Sequence, residues 1–355
     1  YQRVIDSYRA PDPVEGKQIM TAPKTIAFVD APIPEISDDQ VLLRIEKIGV
    51  CGSDIHVYHG QHPFTKYPVT QGHECSGYVE KVGKNVTHVK PGDKVAIEPQ
   101  EVCGECRPCR DGKYNLCEKL KVMGFQCLGT GAEYFACDKI RATKLPDDFS
   151  MDDGCMLEPL AVAVHAVGQA GDVSGKDIVV IGAGPIGNLV AQVAKGLGAR
   201  RVMVTDVSDL RLQLAKECGA DFAVNTRGRD FTEAIVSAFG PDRADIIYDC
   251  AGNNTTINQA IYAARKGSTI LLVAVFAGMA AVDLAVLNDK ELNLNTTMMF
   301  RHEHFQKGIE LVAEGKVRLK PLQSIHFPFE QWADAYRYID DHRETTMKVI
   351  IDVQK

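Results

Sequence analysis

Nowhere in the 355 residues is there a run of about 18 consecutive apolar residues, the minimum for a membrane-spanning helix. An excess of basic residues is also missing. The net charge of −7 argues against a protein that grips a nucleic-acid duplex through Lys and Arg on its phosphates. The first residues, Tyr1-Gln2-Arg3-Val4, show no apolar h-region of the signal-peptide kind. No internal repeat or low-complexity tract is visible. What is present is ordinary: 45% hydrophobic and 25% charged residues, in a chain long enough for two cores rather than one. The expectation is a soluble two-domain protein with neither nucleic acid nor membrane as a partner.

Cysteine is the exception to this ordinary composition. There are eleven, an odd number, and four of them fall within fifteen residues as Cys103-x2-Cys106-x2-Cys109-x7-Cys117. A secreted disulfide scaffold is shorter and does not crowd its cysteines in this way. Four thiolates at this spacing can close a tetrahedral shell around one zinc and leave no position open, which makes the site structural. An iron–sulfur cluster uses similar short spacings. A zinc ribbon for nucleic acid would bring basic and aromatic residues, of which only Lys113 and Tyr114 are present. Metal-bound thiolates fit a reducing compartment, so the expected location is the cytoplasm.

Two textures divide the chain. Residues 1–16, with the turn-rich Pro11-Asp12-Pro13, read as an extension. From Lys17 to about residue 160 the signals are for strands, such as Val41–Ile45 and Gly77–Gly83, separated by turns such as Lys90-Pro91-Gly92-Asp93. Beyond Gly171 strands alternate with helical patterns: strands at Ile178–Ile181, Arg201–Thr205, Asp245–Asp249 and Ser268–Phe276, helices at Leu210–Cys218 and Thr255–Arg265. That alternation implies βαβ units and a parallel sheet. The last stretch predicts a helix over Glu303–Glu314 and a strand over Met347–Val353.

Gly182-Ala183-Gly184-Pro185-Ile186-Gly187 fits GxGxxG, between a strand and a helical pattern. The first glycine permits a tight turn, the second lets backbone approach a pyrophosphate, and the third lets helix and strand pack closely. Asp206 closes the next strand, nineteen residues after Gly187. A carboxylate there accepts hydrogen bonds from the adenosine ribose hydroxyls and repels a 2′-phosphate, so NAD is expected over NADP. The plainer alternative is that Asp206 caps the following helix, and nearby Arg211 keeps the preference for NAD from being absolute. Val273 and Val275, at the end of the fourth strand of this series, complete the expected cofactor-binding set.

A second constellation comes earlier. Cys51-Gly52-Ser53-Asp54-Ile55-His56 and Gly72-His73-Glu74 lie about twenty residues apart, and Glu158 follows in Leu157-Glu158-Pro159-Leu160. A catalytic zinc needs a few N, S or O ligands and one open position for substrate. Cys51, His73, Glu74 and Glu158 are the candidates. Each alone has a plain alternative in core packing.

Taken in order, Cys-Gly-Ser-Asp-x-His, Gly-His-Glu, the four-cysteine lobe and the GxGxxG turn resemble a zinc-containing medium-chain dehydrogenase over about residues 17–355. The run Leu157–Ala166 is similar to the polyol (sorbitol-type) branch, with Glu158 where alcohol dehydrogenases carry a second cysteine. The resemblance implies an α/β protein: a GroES-like, mostly-β catalytic domain at 17–160 plus 301–355, and a Rossmann coenzyme domain with a doubly wound parallel sheet at 161–300. It implies two zincs per chain, NAD, and hydride transfer from a secondary hydroxyl of a polyol, sugar alcohol or sugar acid. Glu158 would then bind zinc directly or through its water. Ser53 would hydrogen-bond the reacting oxygen and His56 would pass the proton on. Asp54 is expected as a supporting acceptor rather than an acid or base. Arg301 resembles an arginine that meets substrate hydroxyls, with an ion pair at the domain junction as the equal alternative. Val57 stands where a tyrosine often lines the polyol pocket. His59, His62 and Lys66 could meet an acidic substrate or be simply solvated. Threonine or phosphorylated-polyol oxidation is the nearest rival, and a redox-inactive binding protein retaining the fold is the rival of another class. A homodimer or homotetramer is expected. The remaining cysteines, Cys75, Cys127, Cys137, Cys155, Cys218 and Cys250, are expected as core thiols.

Overall fold

The computed structural model describes residues 15–276 and 278–354. Its strands in chain order are β1 Glu15–Ala22, β2 Thr25–Ala31, β3 Gln40–Gly49, β4 Glu74–Val82, β5 Lys94–Ile97, β6 Gln100–Glu101, β7 Lys121–Val122, β8 Tyr134–Asp138, β9 Ala142–Lys144, β10 Asp177–Ile181, β11 Arg201–Asp206, β12 Phe222–Asn225, β13 Ile246–Asp249, β14 Thr269–Leu272, β15 Asn293–Thr296, β16 Gln323–Pro328 and β17 Lys348–Asp352. The chain forms two units. One ends its first stretch at Glu158 and is re-entered at Gln323; the other is Pro159–Leu322.

The first unit is mostly β. Its seven-stranded sheet runs β16-β17-β3-β4-β5-β9, with β8 also paired to β3. Only β16 and β17 are parallel; the other pairs are antiparallel. Leu43, Ile45, Ile48, Val57, Trp332 and Tyr336 lie in one buried apolar cluster beneath it. Two registers converge on the end of β3. Gly49 of β3 lies opposite Glu74 of β4, so the residues just after β3 and just before β4 become neighbours although they are far apart in the chain. Ile350 of β17 lies opposite the same Gly49 and brings the C-terminal strand to that spot. Glycine at 49 leaves room for the Glu74 carboxylate, since a Cβ there would sit 2.4 Å from Glu74 Oε2 and displace it.

In the second unit six parallel strands run β12-β11-β10-β13-β14-β15. Counted within the unit this is the order 3-2-1-4-5-6 of a doubly wound dinucleotide fold. All five residues of β10 are buried, as a central parallel strand covered on both faces requires.

The boundaries correct the sequence reading. Residues 301–322, expected with the β-rich domain, belong to the second unit. The helix His302–Ala313 buries Phe305, Gly308, Ile309 and Leu311, and Gly308 lies against Leu160. Beyond that helix, the Gln192 side chain bonds both the amide and the carbonyl of Arg318, at 2.7 and 3.2 Å. Helix periodicity shows that a stripe is apolar but not which core receives it. At the other end, β1 already begins at Glu15, inside the stretch read as an extension; residues 1–14 lie outside the described residues. Among those described, no helix is long and apolar enough to cross a membrane.

Candidate active site and metal centres

The β3–β4 register brings one ligand atom each from Cys51, His73 and Glu74 within 4.8 Å of one another. Cys51 precedes the helix Gly52–Tyr58. Its amide donates to Asp54 Oδ2 at 3.0 Å, which ties the start of the helix to the ligand turn. His73 is buried, with Nδ1 3.4 Å from Asp54 Oδ1 yet without a hydrogen bond. Burial alone would lower the pKa of this imidazole; Asp54 and Cys51 outweigh it and hold it well above the usual range. A buried imidazole nitrogen lacking a hydrogen bond, beside a thiol and a carboxylate, is a donor set of the kind zinc takes. Binding a metal there would displace the proton.

Asp54 is a supporting acceptor, as expected. Gln71 Nε2 donates to its backbone and side-chain oxygens at 3.2 and 3.4 Å, and Tyr336 donates to Gln71 Oε1 at 3.0 Å. Ser53 is half-buried and His56 exposed, three residues apart on one helix and so on one face. Glu158 is buried in the first turn of the helix Leu157–Gln169. It does not lie within 4.8 Å of all three clustered ligands. Burial, with help from Glu74 and Asp54 and against His73 and Lys348, pushes its carboxyl up to about 7.

Sequence reasoning missed Lys348. It is buried, and its ammonium contacts Glu74 Oε1 and Oε2 at 2.9 and 2.6 Å and the Val50 carbonyl at 3.1 Å. Burial would lower its pKa, but Glu74 reverses this and raises it. The available signal was a lysine fused to the apolar run Val349-Ile350-Ile351. Val57 is wholly buried in the core. His59 meets Asp340 at 2.9 Å, so it is not a solvated group waiting for an acidic substrate.

The four-cysteine lobe has only a four-residue helix, Arg107–Arg110, a short 3₁₀ turn and the β6–β7 ladder. Its four sulfurs lie within 4.8 Å of one another, with Cys117 Sγ 3.5 Å from Cys103 Sγ and 3.9 Å from Cys106 Sγ. Four sulfurs at about 2.3 Å from a tetrahedral zinc would be ~3.8 Å apart. Amides of Cys103, Cys106 and Lys119 point at these sulfurs, and the amides of Cys106 and Glu105 bring Cys103 down to about 6. None of the eleven cysteines is in a disulfide. The other six join neither cluster, and Cys75, Cys137 and Cys155 are buried.

In the second unit the glycine-rich turn leaves β10 with Gly182 at φ 94°, and Gly184 caps the helix Pro185–Gly196 that begins with Pro185 and Ile186. A Cβ on Gly187 would lie 1.8 Å from the Gly182 carbonyl oxygen, so no other residue fits. Asp206 does not cap the next helix; Ser208 does, accepting from the Arg211 amide. Asp206 instead accepts from the Ala183 amide at 2.7 Å and from Val207 and Ser208 at 2.7 and 2.9 Å, fastening the glycine-rich turn to β11. Arg211 Nη1 lies 3.7 Å from where a Gly184 Cβ would be. Val273 and the exposed Val275 follow β14, at the carboxyl edge of the parallel sheet where such folds take their ligand. Arg301 caps the helix His302–Ala313, and its guanidinium is held by Glu303 two residues on. That ion pair is local to this helical turn.

Comparison with known proteins agrees with this geometry. The family model described as alcohol dehydrogenase GroES-like domain matches residues 37–147, and the one described as zinc-binding dehydrogenase matches 185–314. Sorbitol dehydrogenase 1 of Saccharomyces cerevisiae is 36% identical over 338 residues, 92% of this chain and 94% of the yeast protein. D-arabitol-phosphate dehydrogenase of Enterococcus avium is 34% identical over 331 residues, 92% of this chain and 94% of that protein. A solved alcohol dehydrogenase of Escherichia coli CFT073, complexed with NADH, superposes with a TM-score of 0.90 at 29% identity, covering 96% of this chain and 100% of that one. The chain is an enzyme of the zinc-containing medium-chain dehydrogenase family, in its polyol (sorbitol-type) branch.

Proposed function

We propose that this enzyme oxidises a secondary hydroxyl of a polyol, sugar alcohol or sugar acid with NAD as hydride acceptor. The observation that carries the reading is the convergence of Cys51, His73 and Glu74, supported by a nucleotide turn of the right kind and by the dehydrogenase relatives. When bound, zinc supplies a Lewis acid that acidifies the alcohol, and NAD supplies the acceptor. Cys51, His73 and Glu74 would hold the catalytic metal, with buried Glu158 accepting a hydrogen bond from a water beside it. Cys103, Cys106, Cys109 and Cys117 would hold a structural zinc in a lobe that has almost no apolar core of its own. Ser53 would hydrogen-bond the reacting oxygen and relay its proton, giving up its own as it takes the substrate's, and His56, one turn further and exposed, would pass that proton on to solvent. Gly182, Gly184, Pro185, Ile186 and Gly187 would admit the pyrophosphate, Asp206 the adenosine ribose, and Val273 and Val275 would flank the cofactor. Arg211, over the turn rather than beyond Asp206, would face the pyrophosphate. Arg301 would meet a substrate hydroxyl.

Self-association as a homodimer or homotetramer is supported by the exposed apolar side chains of Met279 and Leu284. A cytoplasmic setting is supported by the free thiols. The test is NAD and NADP reduction at 340 nm over C4–C6 polyols and aldonic acids, with metal analysis. Turnover of a polyol with NAD and two zincs per chain are expected. No turnover, or full turnover in Cys51→Ser, would overturn the reading.

A further inference from the structure

Gln71 stands directly before Gly72-His73-Glu74 and is fully buried. A buried amide is costly unless its groups find partners, and here each finds one. Its backbone N–H donates to Gln18 Oε1 at 3.0 Å, and its carbonyl accepts from the Gly131 amide at 2.8 Å. Side-chain Oε1 accepts from the Tyr336 hydroxyl at 3.0 Å, while Nε2 donates to the carbonyl and Oδ1 of Asp54. Glycine at 129 keeps the neighbouring turn close, since a Cβ there would lie 2.5 Å from the Gln71 carbonyl oxygen. Tyr336 is fixed as well. It lies on the helix Trp332–Asp341 and meets the rings of Tyr58 and Trp332 edge-on, at 5.2 and 6.3 Å. Tyr58 ends the helix that carries Asp54.

The direction of these bonds follows from Asp54. It is 1% exposed; its Oδ2 receives the Cys51 amide, and its Oδ1 faces His73 Nδ1 at 3.4 Å. An ionised carboxylate can only accept. The Gln71 amide therefore turns its NH2 to Asp54 and its oxygen to Tyr336, which makes the tyrosine hydroxyl a donor. Burial keeps that hydroxyl protonated well above the ordinary phenol range. The result is one chain of donors, Tyr336 to Gln71 to Asp54, ending on the oxygen that faces a metal-ligand imidazole. A carboxylate fixed behind such an imidazole settles the ring's orientation and which nitrogen is left for the metal.

We propose that Gln71 and Tyr336 are positioning residues for the catalytic metal: they hold Asp54 in place behind His73 and so tighten zinc binding at the Cys51–His73–Glu74 cluster. The inference rests on the dehydrogenase reading and extends it to residues outside the ligand set. The test is competition of the holoenzyme with a zinc chelator of known affinity, in the wild type, Gln71→Met, Tyr336→Phe and the double variant. The zinc followed is the one that Cys51→Ser fails to retain. Gln71→Met keeps the length of the side chain and loses its amide. It should weaken this zinc about tenfold or more, the usual loss when a group supporting a metal-bound histidine is removed. Tyr336→Phe removes one hydroxyl, keeps the ring, and should weaken the same zinc by a smaller factor. Because Tyr336 acts through Gln71, the double variant should bind zinc no more weakly than Gln71→Met alone. Zinc in the four-cysteine lobe should be unaffected throughout. Val353→Ala, in the same buried cluster but outside the chain of bonds, separates affinity from stability. It should lower the melting temperature and leave zinc affinity unaltered. Unchanged zinc affinity in Gln71→Met or Tyr336→Phe, losses that multiply in the double variant, or an equal loss in Val353→Ala would overturn the positioning role. Should Gln71→Met fold poorly, Tyr336→Phe still decides, because it keeps the ring packing. A wild type with no zinc beyond the four-cysteine lobe would instead overturn the catalytic-metal reading.

Discussion

Lys348→Met removes the cation from a pair in which Lys348 and Glu74 are 3% and 1% exposed. Glu74 would lose the two contacts at 2.6 and 2.9 Å and stay buried without a cation beside it. Breaking a buried pair from one side costs about 3–5 kcal/mol, because the remaining ion is desolvated and uncompensated. Glu74→Gln leaves the lysine stranded and should cost a similar amount. In the double variant neither ion remains, so it should lie at least ~2 kcal/mol above the sum of the singles. The cycle is run on metal-chelated protein, so that loss of a metal ligand does not enter one arm alone. The chain has one tryptophan, Trp332, buried in the same unit. Its fluorescence during urea unfolding therefore reports on this unit. At ~2–4 °C per kcal/mol for a unit of about 190 residues, each single variant should melt ~6–20 °C lower. Restoring zinc should recover more stability in Lys348→Met than in the wild type, because the metal supplies a positive charge beside Glu74. Additive single effects, within about 0.5 kcal/mol, would refute the reasoning.

Three further outcomes can be checked. Cys103→Ser should lower bound zinc from two to one per chain by metal analysis and loosen the lobe to limited proteolysis; full zinc content and unchanged protection would count against a four-thiolate site. Gly187→Ala should abolish NADH binding by fluorescence titration, since its Cβ would sit 1.8 Å from a backbone oxygen; normal affinity would rule out the close helix–turn approach. Burial alone would raise the Asp177 carboxyl, but Arg201 and Arg200 override it and bring it to about 2 from an ordinary 3.8. A depressed acid contributes its stability in full above the unfolded value and loses it as pH falls through the folded one. The roughly 2 kcal/mol involved should therefore fade between about pH 4 and pH 2, and Asp177→Asn should flatten that part of the stability profile.

How much was legible depended on how local the feature is. The strands at 41–45, 77–83, 178–181 and 201–205 were readable because short segments rich in β-branched and aromatic residues between turn residues are strand signals in themselves. The strand predicted over Ser268–Phe276 is only Thr269–Leu272, since the apolar residues beyond it continue past the sheet edge rather than within it. Arg301 was recognised, but its partner Glu303 was not. The glycine-rich turn was read correctly, whereas the tie from Asp206 to the Ala183 amide needs the curvature of two neighbouring strands. His59, His62 and Lys66 looked alike on one loop. Folding sorts them: His59 onto Asp340, His62 onto Phe125, Lys66 to a cavity wall.

The sequence by itself determined the four-cysteine lobe and the nucleotide turn, because in both the functional atoms lie within fifteen residues and short-range backbone geometry nearly settles their positions. It also named Cys51, His73 and Glu74, whose chemistry is unusual enough to be noticed. Only the tertiary structure decided that these three meet, through the pairing of Gly49 with Glu74, and that Lys348 neutralises Glu74 from 274 residues away. It alone gave residues 301–322 to the second unit. Burial and charge pairing between distant segments depend on sheet register and on which core receives a helix, and neither quantity is written in local spacing.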